Sequence, residues 1–234
     1  MHQLNIPGYV NWIFICTTIL TLLFLLAATI QHEMSKSLII AVVSLAILCA
    51  TGILAKKGFF LETKGIPPRL MLGILPSILI IIGLFLFPSG KKFIDRLSPV
   101  TLTWLHVVRV PLELVLFWLC AAKAIPQLMT FEGRNFDILA GVTAPFIAWL
   151  MSKNKISRGS LIVWNLFCLG LLMNIVVNAS LSAPFSFQQF ALDQPNVAVL
   201  YFPYVWLPCF IVPAVLFAHL VTLRQLIIKK NING

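Results

Sequence analysis

Long apolar blocks separated by short polar gaps make up most of the chain. Several blocks exceed the roughly 18 apolar residues that mark a membrane-spanning helix, and the alternating strands of a membrane barrel are absent. The pattern predicts an all-α integral membrane protein, a bundle of seven transmembrane helices in a single domain covering residues 1–234. The predicted helices cover about residues 10–30, 37–55, 69–87, 99–122, 136–151, 160–182 and 197–228. The fifth is near the lower length limit, so a re-entrant segment is its alternative.

Composition agrees with this interpretation. The chain is 60% hydrophobic and 10% charged, whereas a soluble domain is roughly half apolar and a quarter charged. No Lys or Arg occurs in the opening sequence MHQLNIPGYV. A cleavable signal begins with a basic region, so the first block is predicted to be a retained helix. We expect the protein to be integral to a cell membrane, the bacterial inner (plasma) membrane.

The basic residues predict an orientation with the N-terminus outside and the C-terminus in the cytoplasm. Cytoplasmic gaps carry the excess of Lys and Arg. Six lie in gaps on the same side as the N-terminus: Lys56, Lys57, Lys64, Arg69, Lys123 and Arg134. Ten lie on the other side: Lys36, Lys91, Lys92, Arg96, Lys153, Lys155, Arg158, Arg224, Lys229 and Lys230. The basic gap from Lys56 to Arg69 opposes this assignment.

A net charge of +10 would suggest nucleic acid as a partner of a soluble protein. Here the basic residues lie in the gaps between apolar blocks, which favours contact with anionic lipid headgroups and excludes a nucleic-acid interface. The five cysteines fall inside apolar blocks and form no CxxC pair. Only two histidines lie within the spans, so neither a metal site nor a cofactor is predicted.

Polar residues divide the bundle into two halves. The first three helices carry no ionisable residue within their spans and are predicted to form an apolar scaffold. Charged groups are costly in hydrocarbon and should face the bundle interior, so any site is expected among helices four to seven. The residues that we single out there as ligand-binding candidates are His106, Arg109, Glu113, Asp137, Asn174, Asn178, Tyr201 and Tyr204.

The strongest pattern is the stripe of His106, Arg109 and Glu113 on one face of the fourth helix. Arg109 and Glu113 are four positions apart and are expected to pair. Pro111 lies between them and removes a backbone hydrogen bond beside His106. A salt bridge that only fixes helix packing is the alternative to a ligand, ion or proton site.

A polar loop precedes the fifth helix and contains Glu132, Arg134, Asn135 and Asp137. Asn135 is a good helix cap, and Asp137 suits the positive end of the helix dipole. The functional alternative is a lid above the Arg109–Glu113 stripe, with Gly133 allowing a sharp turn.

The sixth and seventh helices supply the remaining candidates. Asn174 and Asn178 are one turn apart and need inward partners, for which interhelical hydrogen bonding alone is a sufficient explanation. Tyr201 and Tyr204 are expected either to line the pocket or to form an interfacial aromatic belt. Three prolines at five-residue spacing predict that the last helix is bent.

These patterns favour binding or translocation of a small solute or ion through a polar pocket between helices four to seven. One alternative is an enzyme acting on a lipid or isoprenoid, with Glu113 or Asp137 as the general acid. Another is a non-catalytic sensor or subunit of a complex. The sequence identifies neither a catalytic residue nor an oligomeric state.

Overall fold

The computed structural model describes residues 6–30 and 34–228, with Ile30 and Met34 described by their backbone alone. It is 75% helix and has no strand in these ranges. The α-helices are α1 Gly8–Ile30, α2 Met34–Lys56, α3 Arg69–Leu86, α4 Pro88–Ile94, α5 Pro99–Leu105, α6 Arg109–Ala121, α7 Ile138–Ser152, α8 Arg158–Ser182 and α9 Val212–Ile228. Short 3-10 segments are Phe59–Leu61, His106–Val108, Gln127–Met129 and Ala198–Leu200, and Leu207–Ile211 is a π-helix.

Within the described ranges, six helical stretches are long and apolar enough to cross a membrane. They are Gly8–Thr29, Ser35–Lys56, Arg69–Leu86, Pro99–Ala121, Arg158–Ser182 and Leu207–Ile228. Helix α7 is apolar but shorter, as the sequence predicts for the fifth block. The fold is therefore that of a multi-pass helical protein, consistent with a location in a membrane.

Local sequence explains where several helices begin. Ser98 accepts a hydrogen bond from the amide of Thr101, and Pro99 follows it at the first helical position of α5. Ser157 caps α8 in the same way through the amide of Ser160. The last span begins at Leu207 rather than at residue 197, because residues 197–206 form a 3-10 turn and further turns around Pro203.

We call the end of the bundle where α1 begins the N-side and the end where α9 finishes the C-side. On the N-side, the Tyr204 hydroxyl donates to Asn11 of α1, and the amide of Val197 donates to Ala124. On the C-side, Arg224 binds Asp95. Lys229 and Lys230, which enter the charge argument, lie outside the described residues.

Burial places the central helices. In the apolar stretch of the last span, Leu207–Ile228, 61% of the residues are buried, and in that of the span Pro99–Ala121 50% are buried. In α3 only 17% of the residues are buried, so most of that helix faces outward. The last span and the α5–α6 span therefore form the centre of the bundle, and they carry the ionisable residues discussed next.

Candidate functional site

The guanidinium of Arg109 is the centre of a buried polar cluster. Its Nη1 donates to Oδ1 of Asp137 at 2.9 Å and to the carbonyl of Cys168 at 3.3 Å. Its Nη2 lies 3.0 Å from Nε2 of His219. Four parts of the chain thus meet at one side chain: α6, the start of α7, α8 and α9. We define the Arg109 cluster as His106, Arg109, Glu113, Asn135, Asp137, Asn165 and His219.

The cluster is closed to its surroundings. Arg109 is 1% exposed and Glu113 2%, and the most exposed member, Asp137, reaches only 7%. A charge buried this deeply costs several kcal/mol unless it is paired and hydrogen-bonded. The partners within the cluster are therefore essential to the fold.

The partner of Arg109 differs from the one expected. The sequence places Glu113 four positions away on the same helix, but the ion pair forms with Asp137, 28 positions away. Asp137 reaches Arg109 because α7 starts inside the bundle and brings its first residues to the level of α6. The carboxylate of Glu113 instead accepts a hydrogen bond from Nδ2 of Asn135.

The loop before α7 is folded tightly enough to bring Asn135 into the interior. Asn135 also donates to the carbonyl of Met129 at 3.1 Å, and its Oδ1 accepts from the amide of Asp137 at 3.0 Å. Gly133 permits this turn, since a Cβ there would overlap the backbone of Gln127 and lie 2.6 Å from Cα of Leu128. Asn135 therefore connects Glu113 to the start of α7.

Two imidazoles stack inside the cluster. The rings of His106 and His219 are 3.9 Å apart between centroids and nearly parallel at 19°. Trp164 packs edge-on beside this pair, with its ring centroid 5.7 Å from that of His106. Nδ1 of His219 lies 3.0 Å from Oδ1 of Asn165, whose amide nitrogen donates to the carbonyl of Leu161.

These contacts define the proton position on His219. Oδ1 of Asn165 can only accept, so Nδ1 of His219 carries the hydrogen. Arg109 can only donate, so Nε2 of His219 accepts. His219 is thus neutral, with its proton on Nδ1, and it contributes an acceptor to Arg109 rather than a second positive charge.

Three polar atoms of the cluster are buried without a hydrogen-bond partner: Nδ1 of His106, Nε of Arg109 and Oε2 of Glu113. Buried polar atoms are normally paired, so each needs an explanation. Among the described residues no group of three or more His, Cys, Asp or Glu side chains could hold a metal ion. The cluster contains one guanidinium and two carboxylates, which leaves a net charge of −1 if both carboxylates are ionised.

Helix geometry is interrupted around the cluster. The span Pro99–Ala121 changes to 3-10 geometry at His106–Val108, and the last span begins with the π-helix Leu207–Ile211. Mid-helix 3-10 turns and π-bulges often occur at hinges and functional sites. Gly141 lets α7 approach closely, because a Cβ there would lie 2.8 Å from Cγ2 of Val110.

Several candidate residues lie outside the cluster. Asn174 donates to the carbonyl of Arg134 at 2.7 Å, and Asn178 donates to the carbonyl of Asn174 at 2.9 Å. The ring of Tyr204 packs against Phe14 of α1, away from Arg109. Tyr201 packs with the apolar group around Phe60. In the loop, Glu132 is exposed and Arg134 lies over the ring of Phe190.

Sequence reasoning missed Asn165 and His219 as parts of the site. Asn165 lies on the buried face of α8, whereas Asn174 lies on an exposed one. The buried face carries Leu161, Asn165, Cys168 and Leu172, which repeat at helical spacing. A polar residue within this apolar stripe was the available signal, and His219 lies opposite it on α9.

A family model described as Domain of unknown function (DUF8737) matches residues 66–227. The chain belongs to the DUF8737 family. The DUF8737 match includes every member of the Arg109 cluster and starts after α1 and α2. No curated protein and no solved structure matches the chain.

Proposed function

We propose that this DUF8737 protein binds and translocates a small solute or ion. In this proposal the Arg109 cluster binds a proton, which is either the transported ion itself or the ion whose movement drives transport. In this proposal α7 is the seventh span, the N-side faces outward, and the C-side faces the cytoplasm of a bacterial cell. The charge bias of the gaps supports the orientation. The bilayer midplane is where transporters place such sites.

The observation that carries the proposal is the unpartnered Oε2 of Glu113 beside a single guanidinium. Arg109 neutralises Asp137, which leaves the second carboxylate without a cationic partner. An isolated negative charge is costly in hydrocarbon, so a proton on Glu113 restores neutrality. This proton binds to Glu113 because the single positive charge of Arg109 is already paired with Asp137, and it can be released when that pairing changes.

The interrupted helices support a moving site. Discontinuous spans, with helix ends near the midplane, are typical of the substrate and ion sites of transporters. In this chain α7 begins beside Arg109, and the π-helix Leu207–Ile211 precedes the α9 segment that carries His219. Bending at these points would open the cluster to one side at a time. Its burial on both sides supports an occluded state.

The enzyme alternative receives less support. A lipid substrate would need a route from the hydrocarbon to a carboxyl of the cluster. The large cavity found in the described part of the chain is lined by no Asp, Glu or His. On α9 the cavity borders Pro213, Ala214 and Phe217, whereas His219 of the Arg109 cluster contacts Asn165 of α8. The cavity and the cluster therefore lie on different sides of α9.

We expect Glu113→Gln to abolish proton movement through the protein. In proteoliposomes with a trapped pH dye and a clamped membrane potential, the wild-type protein should dissipate an imposed pH gradient faster than empty liposomes. The Gln variant keeps the hydrogen bond to Asn135 but cannot release a proton, so its rate should fall to that of empty liposomes.

The matched control is Glu132→Gln, which removes an exposed carboxyl from the loop before α7. Its rate should equal that of the wild-type protein. Equal rates for wild type and Glu113→Gln, or a wild-type rate equal to that of empty liposomes, would contradict proton translocation through this cluster.

A further inference from the structure

A cavity of about 600 Å³ lies between α2 and α3 in the C-side half of the bundle. Its walls are mainly aliphatic and aromatic and include Ile39, Val43, Ile80, Leu84, Phe87 and Phe217. Helices α1 and α9 close it from behind, and α4 contributes Ser89, Gly90 and Phe93 at its C-side end. It is separate from the Arg109 cluster, since none of the cluster residues lines it.

In their N-side halves, α2 and α3 both pack against the segment that leads into the last span. Gly52 of α2 lies against Phe202 and Trp206, and Gly73 of α3 lies against Phe60 and Cys209. Small residues allow this close approach.

Two hydrogen bonds strengthen the N-side contact. The indole of Trp206 donates to the carbonyl of Leu48. The hydroxyl of Ser77 donates to the carbonyl of Cys209, which Pro213 deprives of its helical donor. Toward the C-side the facing residues are Ile39, Val43 and Ile80, and the two helices diverge around the cavity.

Among the described residues that line the cavity, the charged one is Lys36, at its C-side mouth. Lys36, in the first turn of α2, lines it and places its ammonium 5.6 Å from the ring centre of Phe93. Lys91 and Lys92 lie on α4, between the cavity residues Gly90 and Phe93. The lysines lie at the end of a span, where a lipid headgroup would lie, and the apolar walls continue into the region of the acyl chains. This arrangement suits a lipid.

We infer that this cavity binds an anionic phospholipid of the C-side leaflet, with one acyl chain between α2 and α3 and its phosphate beside Lys36. The volume falls in the range of pockets that hold small organic ligands. The charge of the mouth selects an anionic headgroup, and the bilayer supplies the ligand without an aqueous step. The inference is independent of the proposed proton site, because it uses different residues on the other side of the last span.

Native mass spectrometry of the purified full-length chain tests this assignment. Phosphatidylglycerol and phosphatidylcholine with identical acyl chains are added separately to delipidated protein. Wild-type protein should bind a single phosphatidylglycerol in preference to phosphatidylcholine. Lys36→Gln should lower the apparent affinity for phosphatidylglycerol roughly fivefold and leave that for phosphatidylcholine unchanged, since one Lys near a membrane surface contributes about that factor. Lys153→Gln, an exposed lysine at the end of α7, is the matched control.

Val43→Phe fills the cavity and should abolish tight binding of both lipids. Val163→Phe makes the same change at an outward-facing position of α8 that is 67% exposed, and it should bind as the wild type does. Ile80→Trp fills the cavity from α3 and provides a second test if Val43→Phe does not fold. The inference is overturned if the filled variants retain the lipid, if Val163→Phe loses it equally, or if the two headgroups bind equally well.

Discussion

Arg109→Gln is expected to lower the free energy of unfolding by about 3–5 kcal/mol, the usual cost of removing one partner from a buried ion pair. Asp137 would lose its cationic partner, and the acceptor Nε2 of His219 would lose a donor. Water has little access to either group, because Asp137 is 7% exposed and His219 is fully buried. Thermal or denaturant unfolding of the purified protein in detergent micelles measures the change.

Arg224→Gln is the matched control because it breaks an Arg–Asp pair at the C-side end of the bundle. Arg224 contacts both carboxylate oxygens of Asp95, but the two side chains are 22% and 32% exposed. Water can replace the lost partner, so we expect a change below about 1 kcal/mol. The double variant Arg109→Gln with Asp137→Asn should recover part of the loss. Equal destabilisation by the two arginine substitutions would contradict the essential role of the buried pair.

Gly133→Ala is expected to destabilise the protein by about 1–3 kcal/mol or more, although it adds a single methyl group. The new Cβ would overlap the carbonyl of Gln127, and that backbone cannot rotate away as a side chain could. The turn would open and pull Asn135 away from Glu113. Unfolding measurements give the stability.

Gly170→Ala controls for the effect of alanine itself. Gly170 lies in α8, and a Cβ there meets no atom within 4 Å. Alanine favours helix over glycine, so this variant should be as stable as the wild type or up to about 1 kcal/mol more stable. If Gly133→Ala behaves like Gly170→Ala, the tight turn does not position Asn135.

Apolar block length predicted the six helical stretches that are long and apolar enough to cross a membrane, because a long apolar run favours a long helix almost regardless of tertiary detail. It failed at the start of the last helix. Residues 197–206 are apolar, but Pro203 lacks a backbone donor and the segment folds into turns. The short helix α4 was also missed, since seven residues carry too weak a periodic signal.

The candidate site was predicted in part. Sequence placed His106, Arg109 and Glu113 on one helical face and identified Asp137 and Asn135 before α7. It assigned the wrong partner to Arg109, because spacing along one helix says nothing about the depth at which another helix begins. Asn165 is marked only by its place in the apolar stripe of α8, and its contact with His219 depends on the packing of α8 against α9, which spacing along one helix does not predict.

The central claim is that Glu113 carries the proton that balances the cluster, and infrared spectroscopy of the protein in lipid tests it most directly. A carbonyl stretch of a protonated, buried carboxyl should be present near neutral pH. It should disappear in Glu113→Gln and persist in Glu132→Gln. If wild type and Glu113→Gln show the same protonated-carboxyl signal, or if neither shows one, then Glu113 holds no proton at neutral pH, and the cluster is a structural ion-pair network rather than a transport site.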